Sequence, residues 1–241
     1  MTTRSTGLCS KWTMLTMAVL PLLVACQSVP TQGAGLAKQA TAVAVAPQDV
    51  PVPVLGKDAK GQSIIAFFGA PDTDSEGGLF KEAQQGGFYR VYTGKNAAGQ
   101  LQVQDFYQAN GAPQTSVFAV DPAANLLDWA VLPQDGQITF YRPNGAVRGV
   151  TTYQQGKLEG KDIYYNADGT ERSVYTWRND LLDGPFFAQY PGSQSRVEGV
   201  AKDDSIVSIK AFDDRGQPLP QEDAERLLEA SMIFWYDDIF Q

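Results

Sequence analysis

The feature that most narrows what this chain can fold into is a repeat. Phe106-Tyr107-Gln108-Ala109-Asn110-Gly111, Phe140-Tyr141-Arg142-Pro143-Asn144-Gly145 and Tyr164-Tyr165-Asn166-Ala167-Asp168-Gly169 each read two aromatics, two spacers, Asn or Asp, then Gly. Weaker copies lie at Gln189-Tyr190-Pro191-Gly192 and at Ala211-Phe212-Asp213-Asp214-Arg215-Gly216. The second and third copies are 24 residues apart, and so are the segments Tyr153 to Gly160 and Trp177 to Gly184. Two motifs that keep one spacing mark a structural unit of that length.

The physics of the unit is legible. Asn110-Gly111, Asn144-Gly145 and Asp168-Gly169 suit hairpin turns that need positive φ. Gly136, Gly156, Gly160 and Gly184 punctuate the other ends of the same units. Between them run short stretches rich in Tyr, Phe, Val, Ile and Thr, which favour strands. The expected fold is mainly β: an elongated antiparallel meander of repeated hairpins with one C-terminal helix. Equivalent aromatics, such as Phe140 with Tyr164, Tyr153 with Trp177, and Tyr141 with Tyr165, Tyr190 and Phe212, should stack in columns and act as structure.

The aromatic-x-x-Asn-Gly turn and Gly156-Lys157-Leu158-Glu159-Gly160 resemble the variant MORN repeat of YwqK-type bacterial proteins. The resemblance is clearest over residues 135–184 and degrades on either side, with Asp121 to Asp128 reading as an insertion. It implies a MORN-like meander and a protein-interaction role; some members are antitoxin or immunity components. It supplies no catalytic residue to carry over.

The other informative segment is the first. Arg4 and Lys11 precede an apolar run, Trp12 to Ala25, of about 14 residues, shorter than the roughly 20 a spanning helix requires. Leu23-Val24-Ala25-Cys26 resembles the lipobox of bacterial lipoproteins, with Leu23, Val24 and Ala25 as the signal-peptidase recognition residues and Cys26 the lipidated residue. Several acyl chains on one residue anchor stably, at about 0.8 kcal/mol per buried CH₂. The only covalent group this implies is that lipid, and the first partner is the bilayer that receives it. Gln27 is not the aspartate that the family rule associates with retention in an inner membrane, so the expected address is the outer membrane of a cell envelope, facing the periplasm. The competing reading is an ordinary signal with Cys26 incidental.

Composition removes whole classes of function. There is no histidine, and loss of residues 1–25 takes away two basic residues and no acid, leaving 17 basic against 27 acidic residues and a net charge of −10. Such a chain is a poor ligand for nucleic acid. Without histidine, the Ser-His-Asp and Cys-His arrangements are excluded. Cys9 lies in the signal and Cys26 carries lipid, so no disulfide is expected. No catalytic residue, metal site or cofactor is assigned. An enzyme that works with carboxylates alone is the minor alternative.

The expected organisation is a signal peptide at 1–25, the lipidated cysteine and an Ala/Pro/Val-rich tether at 26–60, the hairpin domain at 61–217, and a capping helix with an aromatic tail at 218–241. Within the tether, Thr41 to Val45 can alternatively be an edge strand. Pro220 to Met232 reads as a helix with Ala224, Leu227, Leu228 and Ser231 on one face. The following Ile233 to Gln241 either packs as a last strand or forms an exposed docking patch. The pairs Asp203-Asp204 and Asp213-Asp214 fall at predicted turns, while Asp237-Asp238 does not. Asn166 to Glu171 is superficially similar to a calcium loop but lacks its first ligand and its closing acid. Gly192 to Ser195 offers a serine without a base. The functional expectation is an anchored β-repeat surface for an unknown protein partner in the envelope; the alternative is a periplasmic immunity protein that neutralises a secreted toxin.

Overall fold

A computed structural model describes residues 50–70, 78–190 and 192–237, the last six as helix backbone alone. All lie within the unit Ala44–Gln241. The chain is mainly β, with two antiparallel sheets and, among the described residues, a single helix.

The first sheet contains β1 (Gly56–Lys57), β2 (Ser63–Phe68), β3 (Leu79–Phe80), β4 (Phe88–Lys95), β5 (Leu101–Tyr107) and β6 (Phe118–Val120). Its order is β1-β2-β4-β5-β6, with β3 alongside β2. Ile64-Ile65-Ala66-Phe67-Phe68 is an uninterrupted apolar run, and β2 is accordingly enclosed on both faces. One side packs Ile65, Tyr92, Val103 and Val120 together; another cluster joins Ile64, Val91, Tyr89 and Phe106, the last two stacked with ring centroids 5.2 Å apart. Val50 and Val52 also pack on this core, and Gly56–Lys57 pairs with β2. The folded part therefore begins ahead of the expected boundary at 61, because these apolar residues gain more from burial than a solvated tether would. Residues 26–49, including Thr41 to Val45, lie outside the described residues.

The second sheet is the repeat array: β7 (Gly136–Tyr141), β8 (Val147–Gln154), β9 (Lys157–Tyr165), β10 (Glu171–Arg178), β12 (Gly184–Gln189), β13 (Arg196–Lys202) and β14 (Ser205–Phe212), each paired with its neighbour, and short β11 (Leu181–Leu182) on β10. Here burial alternates, as in β10, where Ser173, Tyr175 and Val174, Thr176 take opposite faces. Gln114–Ser116 stitches the sheets together. Gln114 N–H donates to Asp105 O at 2.8 Å on one side, while Ser116 N–H donates to Thr139 O at 2.8 Å on the other.

Helix α1 (Gln221–Asp237) lies on the inner face of the array and buries Ala224, Leu228 and Ser231 there, the face the sequence predicts. It finds room because the row beneath it is small: Ser173, Ala188, Val197 and Ala211 are register partners across four strands. One strand further on, the same row holds Tyr164. The helix also runs through Ile233 to Asp237, which overturns the last-strand reading for those residues; residues 238–241 lie outside the described residues.

Candidate interaction surface and buried polar cluster

The lipobox residues Leu23, Val24, Ala25 and Cys26 fall outside the described residues. The repeat-turn residues do not, and they resolve into two alternating turn types. In the first, Asn144 and Asp168 keep negative φ and only Gly145 and Gly169 are left-handed, with φ of 84° and 85°. Residue N–H to carbonyl bonds run Gly145 to Arg142 at 2.8 Å and Gly169 to Asn166 at 3.0 Å, while the Asn144 and Asp168 side chains accept from the N–H two residues on. The same turn closes at Asp58 to Gln62, Asn96 to Gln100 and Asp213 to Gln217. Asn110-Gly111 is one residue longer, with Gly111 N–H on Tyr107 O. At the opposite edge, Gln155-Gly156, Asn179-Asp180 and Asp203-Asp204 have both residues at positive φ, the geometry that matches strand twist in two-residue hairpins. These turns recur every 24 residues, as do the positive-φ glycines Gly136, Gly160 and Gly184.

Each of these turns is seated on the hairpin before it. Gly156, Asp180 and Asp204 N–H donate to the carbonyls of Gln134, Leu158 and Leu182 at 2.7, 3.1 and 3.0 Å. In return Leu158 and Leu182 N–H donate to the carboxylates of Asp180 and Asp204, both at 2.7 Å. A second acid joins in: Asp135 accepts from Gln155 N–H and Glu159 from Asn179 N–H, both at 2.9 Å. Asp183, next in that series, holds Lys202 Nζ at 2.6 Å. Charge-assisted bonds of this kind favour the ionised form. The Gln155 N–H lowers the Asp135 pKa, and Lys202 lowers that of Asp183. Asp214 is likewise held low, first by the Ser193 hydroxyl, so the turn acids and Ser193 brace adjacent loops.

Sequence reasoning missed Asp162. It lies on the inner face, flanked in register by Thr151 and Tyr175. Thr151 Oγ1 donates to its carboxylate at 2.7 Å. Burial raises its pKa to about 6, against the lowering effects of Thr151, the Tyr164 hydroxyl and the Trp177 indole N–H. Burial raises Tyr153 and Tyr164 as well, with Asp162 adding to both. Tyr175 OH lies 3.2 Å from Ser231 Oγ. Since Ser231 donates to Leu228 O, Tyr175 is the donor, which ties the helix to the cluster. Arg148 lies over the Phe140 ring at 5.3 Å and Arg172 is buried beside this row. The signal was available: aligned at 24 residues, Asp162 stands where Phe186 stands, a charge in a core register.

The site open to a partner lies at the edge of this cluster. A groove of about 360 Å³ runs between α1 and the tips of β11 and the β13–β14 hairpin, lined by Trp177, Leu182, Asp204, Ile206, Glu225, Leu228 and Glu229. Its floor is apolar; its charged lining residues are all acids. Ile206 in its lining is exposed, and so are Leu181, Val200 and Val207 on the same strands and turns, with Leu181 and Val200 on the opposite face of the sheet and Val207 exposed to 66%. Val207 is the extra residue of a bulge, because Ala201 pairs with Ile206 and Val200 with Ser208. No protein-family model matches the chain, and no curated protein matches it.

Proposed function

We propose that this chain is a lipid-anchored lipoprotein of the cell envelope whose MORN-like hairpin array is a platform for binding another protein, with no catalysis of its own. The observation that supports binding is one groove with an apolar floor of Trp177, Leu182, Ile206 and Leu228, open at the hairpin tips where Ile206 is exposed. Scattered exposed apolar residues are ordinary, but an apolar concavity rimmed by charge is a common form of recognition surface. Support for the anchor comes from Leu23-Val24-Ala25-Cys26 behind an apolar run. The turn acids are engaged in bracing, which fits a scaffold better than a reaction centre.

Two measurements test this reading. Palmitate labelling should mark the chain and vanish in Cys26→Ala; label that persists in the variant removes the anchor. Crosslinking of the lipidated chain in intact envelopes, followed by identification of the captured protein, tests the platform. One stoichiometric envelope component supports it, a secreted toxin assigns the immunity role instead, and no enrichment over an untagged control overturns the binding role.

A further inference from the structure

We infer that the groove beneath α1 receives a protein segment carrying one apolar anchor side chain flanked by lysine or arginine; this rests on the binding role proposed above and names the partner's chemistry. The groove's floor is built from Trp177, Leu182, Ile206 and Leu228, enough apolar surface for a single aliphatic or aromatic side chain. Its rim carries carboxylates from two elements: Asp204 at the hairpin tip, and Glu225 and Glu229 one turn apart on the helix. Neither lysine nor arginine lines it. The nearest cations in sequence are engaged elsewhere, Arg226 with Asp223 at 2.6 Å, and Lys202 and Arg178 with Asp183 at 2.6 and 3.7 Å.

Apolar burial supplies affinity while the acids select the sign of the flanking charge and speed encounter. An acidic or phosphate-bearing ligand is opposed both by this rim and by the net charge of the chain, −8 before removal of any signal. The hollow of about 230 Å³ between Leu55, Ile65, Leu79 and Leu127 provides the internal contrast. It is smaller, its one charged lining residue is Lys81, and it lacks a carboxylate rim.

The probes are fluorescein-labelled peptides of the form Lys-Lys-X-Lys-Lys, with X Leu, Phe or Trp, titrated against the full lipidated chain in nonionic detergent and read by fluorescence anisotropy. Saturable binding should weaken more than about tenfold when X is Gly, the loss expected on removing a buried side chain of this size. The double variant Glu225→Gln/Glu229→Gln, at two exposed positions, should weaken it about fivefold at low salt and leave thermal melting unchanged. Raising the salt should narrow the gap between variant and wild type. Equal binding of Glu-Glu-X-Glu-Glu peptides, or no effect of the double variant, overturns the inference. The same variant separates this inference from the role it rests on. If envelope crosslinking captures the same partner with undiminished yield, the groove is not the contact while the platform stands; if neither chain captures anything, the platform itself falls.

Discussion

The two sheets solve the same problem in opposite ways. The first is an aperiodic core: β2 and most of β4 are buried throughout, and their closing loop is pinned from a distance. Arg90, 1% exposed, makes paired bonds to Asp105 at 2.7 Å and reaches the carbonyls of Leu126, Asp128 and Trp129, so one guanidinium holds residues up to 39 positions away. It also lies over the rings of Phe68 and Phe118. The second sheet has its own core, where Tyr175, Leu182, Phe186 and Val197 pack with Ala224 and Leu228 of α1, but it adds a different device. Its strands are also held by turns that each lean on the previous hairpin, so many of its contacts link neighbouring units as in other repeat proteins. The difference teaches where a single substitution matters: in the first sheet it should be global, in the array local.

The largest expected effect breaks the first sheet. Arg90→Leu leaves Asp105 buried without its partner and frees three loop carbonyls, which should cost about 3–5 kcal/mol. Urea denaturation measures the loss. Hydrogen exchange tests the comparison, since β9 to β13 should stay protected while β4 and β5 open; equal loss in both sheets would show that the Gln114–Ser116 stitch makes them one cooperative unit.

The next effect is set by pH and acts in the array. Asp162 has its folded pKa raised to about 6, above the roughly 3.9 of an unfolded chain. The folded state thus holds the proton more tightly, and stability from this group is full below about pH 4 and lost as pH rises through 6. Asp162→Asn keeps an acceptor for Thr151 and cannot ionise. It should therefore be more stable than wild type by on the order of 2 kcal/mol at pH 7.5, with the advantage vanishing near pH 4. Parallel unfolding curves for the two chains at both pH values check this; a constant gap would show that the carboxylate stays unburied in solution.

The smallest effect probes one brace. Asp180→Ala removes the acceptor for Leu158 N–H and forces Ala to φ of 69°, for a cost of about 1–2 kcal/mol. Asp180→Gly loses the same bond but relaxes the backbone, and should cost less by about 0.5–1 kcal/mol. If Gly and Ala behave alike in thermal melts, the bond rather than the turn conformation sets the cost.

Much of the array was readable because turn chemistry is local. Gly145 and Gly169 announce their hairpins, and the helix face of Ala224, Leu228 and Ser231 follows from its spacing. The two-residue turns were harder, since Asn179-Asp180 and Asp203-Asp204 adopt positive φ without glycine, held there by bonds from residues 20 or more positions away. Arg90 gave no local sign, because its partners are brought together only by the closed loop. The helix was expected to end at Met232, yet its pattern of apolar residues continues through Ile233 to Tyr236, which burial on a sheet and a helix can both use. Asp162 hid among ordinary strand residues until the 24-residue alignment exposed it in a core register.

The seating of each turn has a consequence for how such a gene can change. Because Asp135 and Glu159 offer the same acceptor to turns at Gln155 and Asn179, two successive hairpins share one pattern of socket and plug. Excising residues 160–183 would join Glu159 to Gly184 and present that socket to the turn at Asp203 in unchanged frame. On this pattern the array should tolerate loss or gain of whole units of 24 residues, whereas a shift of one residue would turn inward side chains such as Tyr164 and Tyr175 outward and part the turns beyond it from their acceptors.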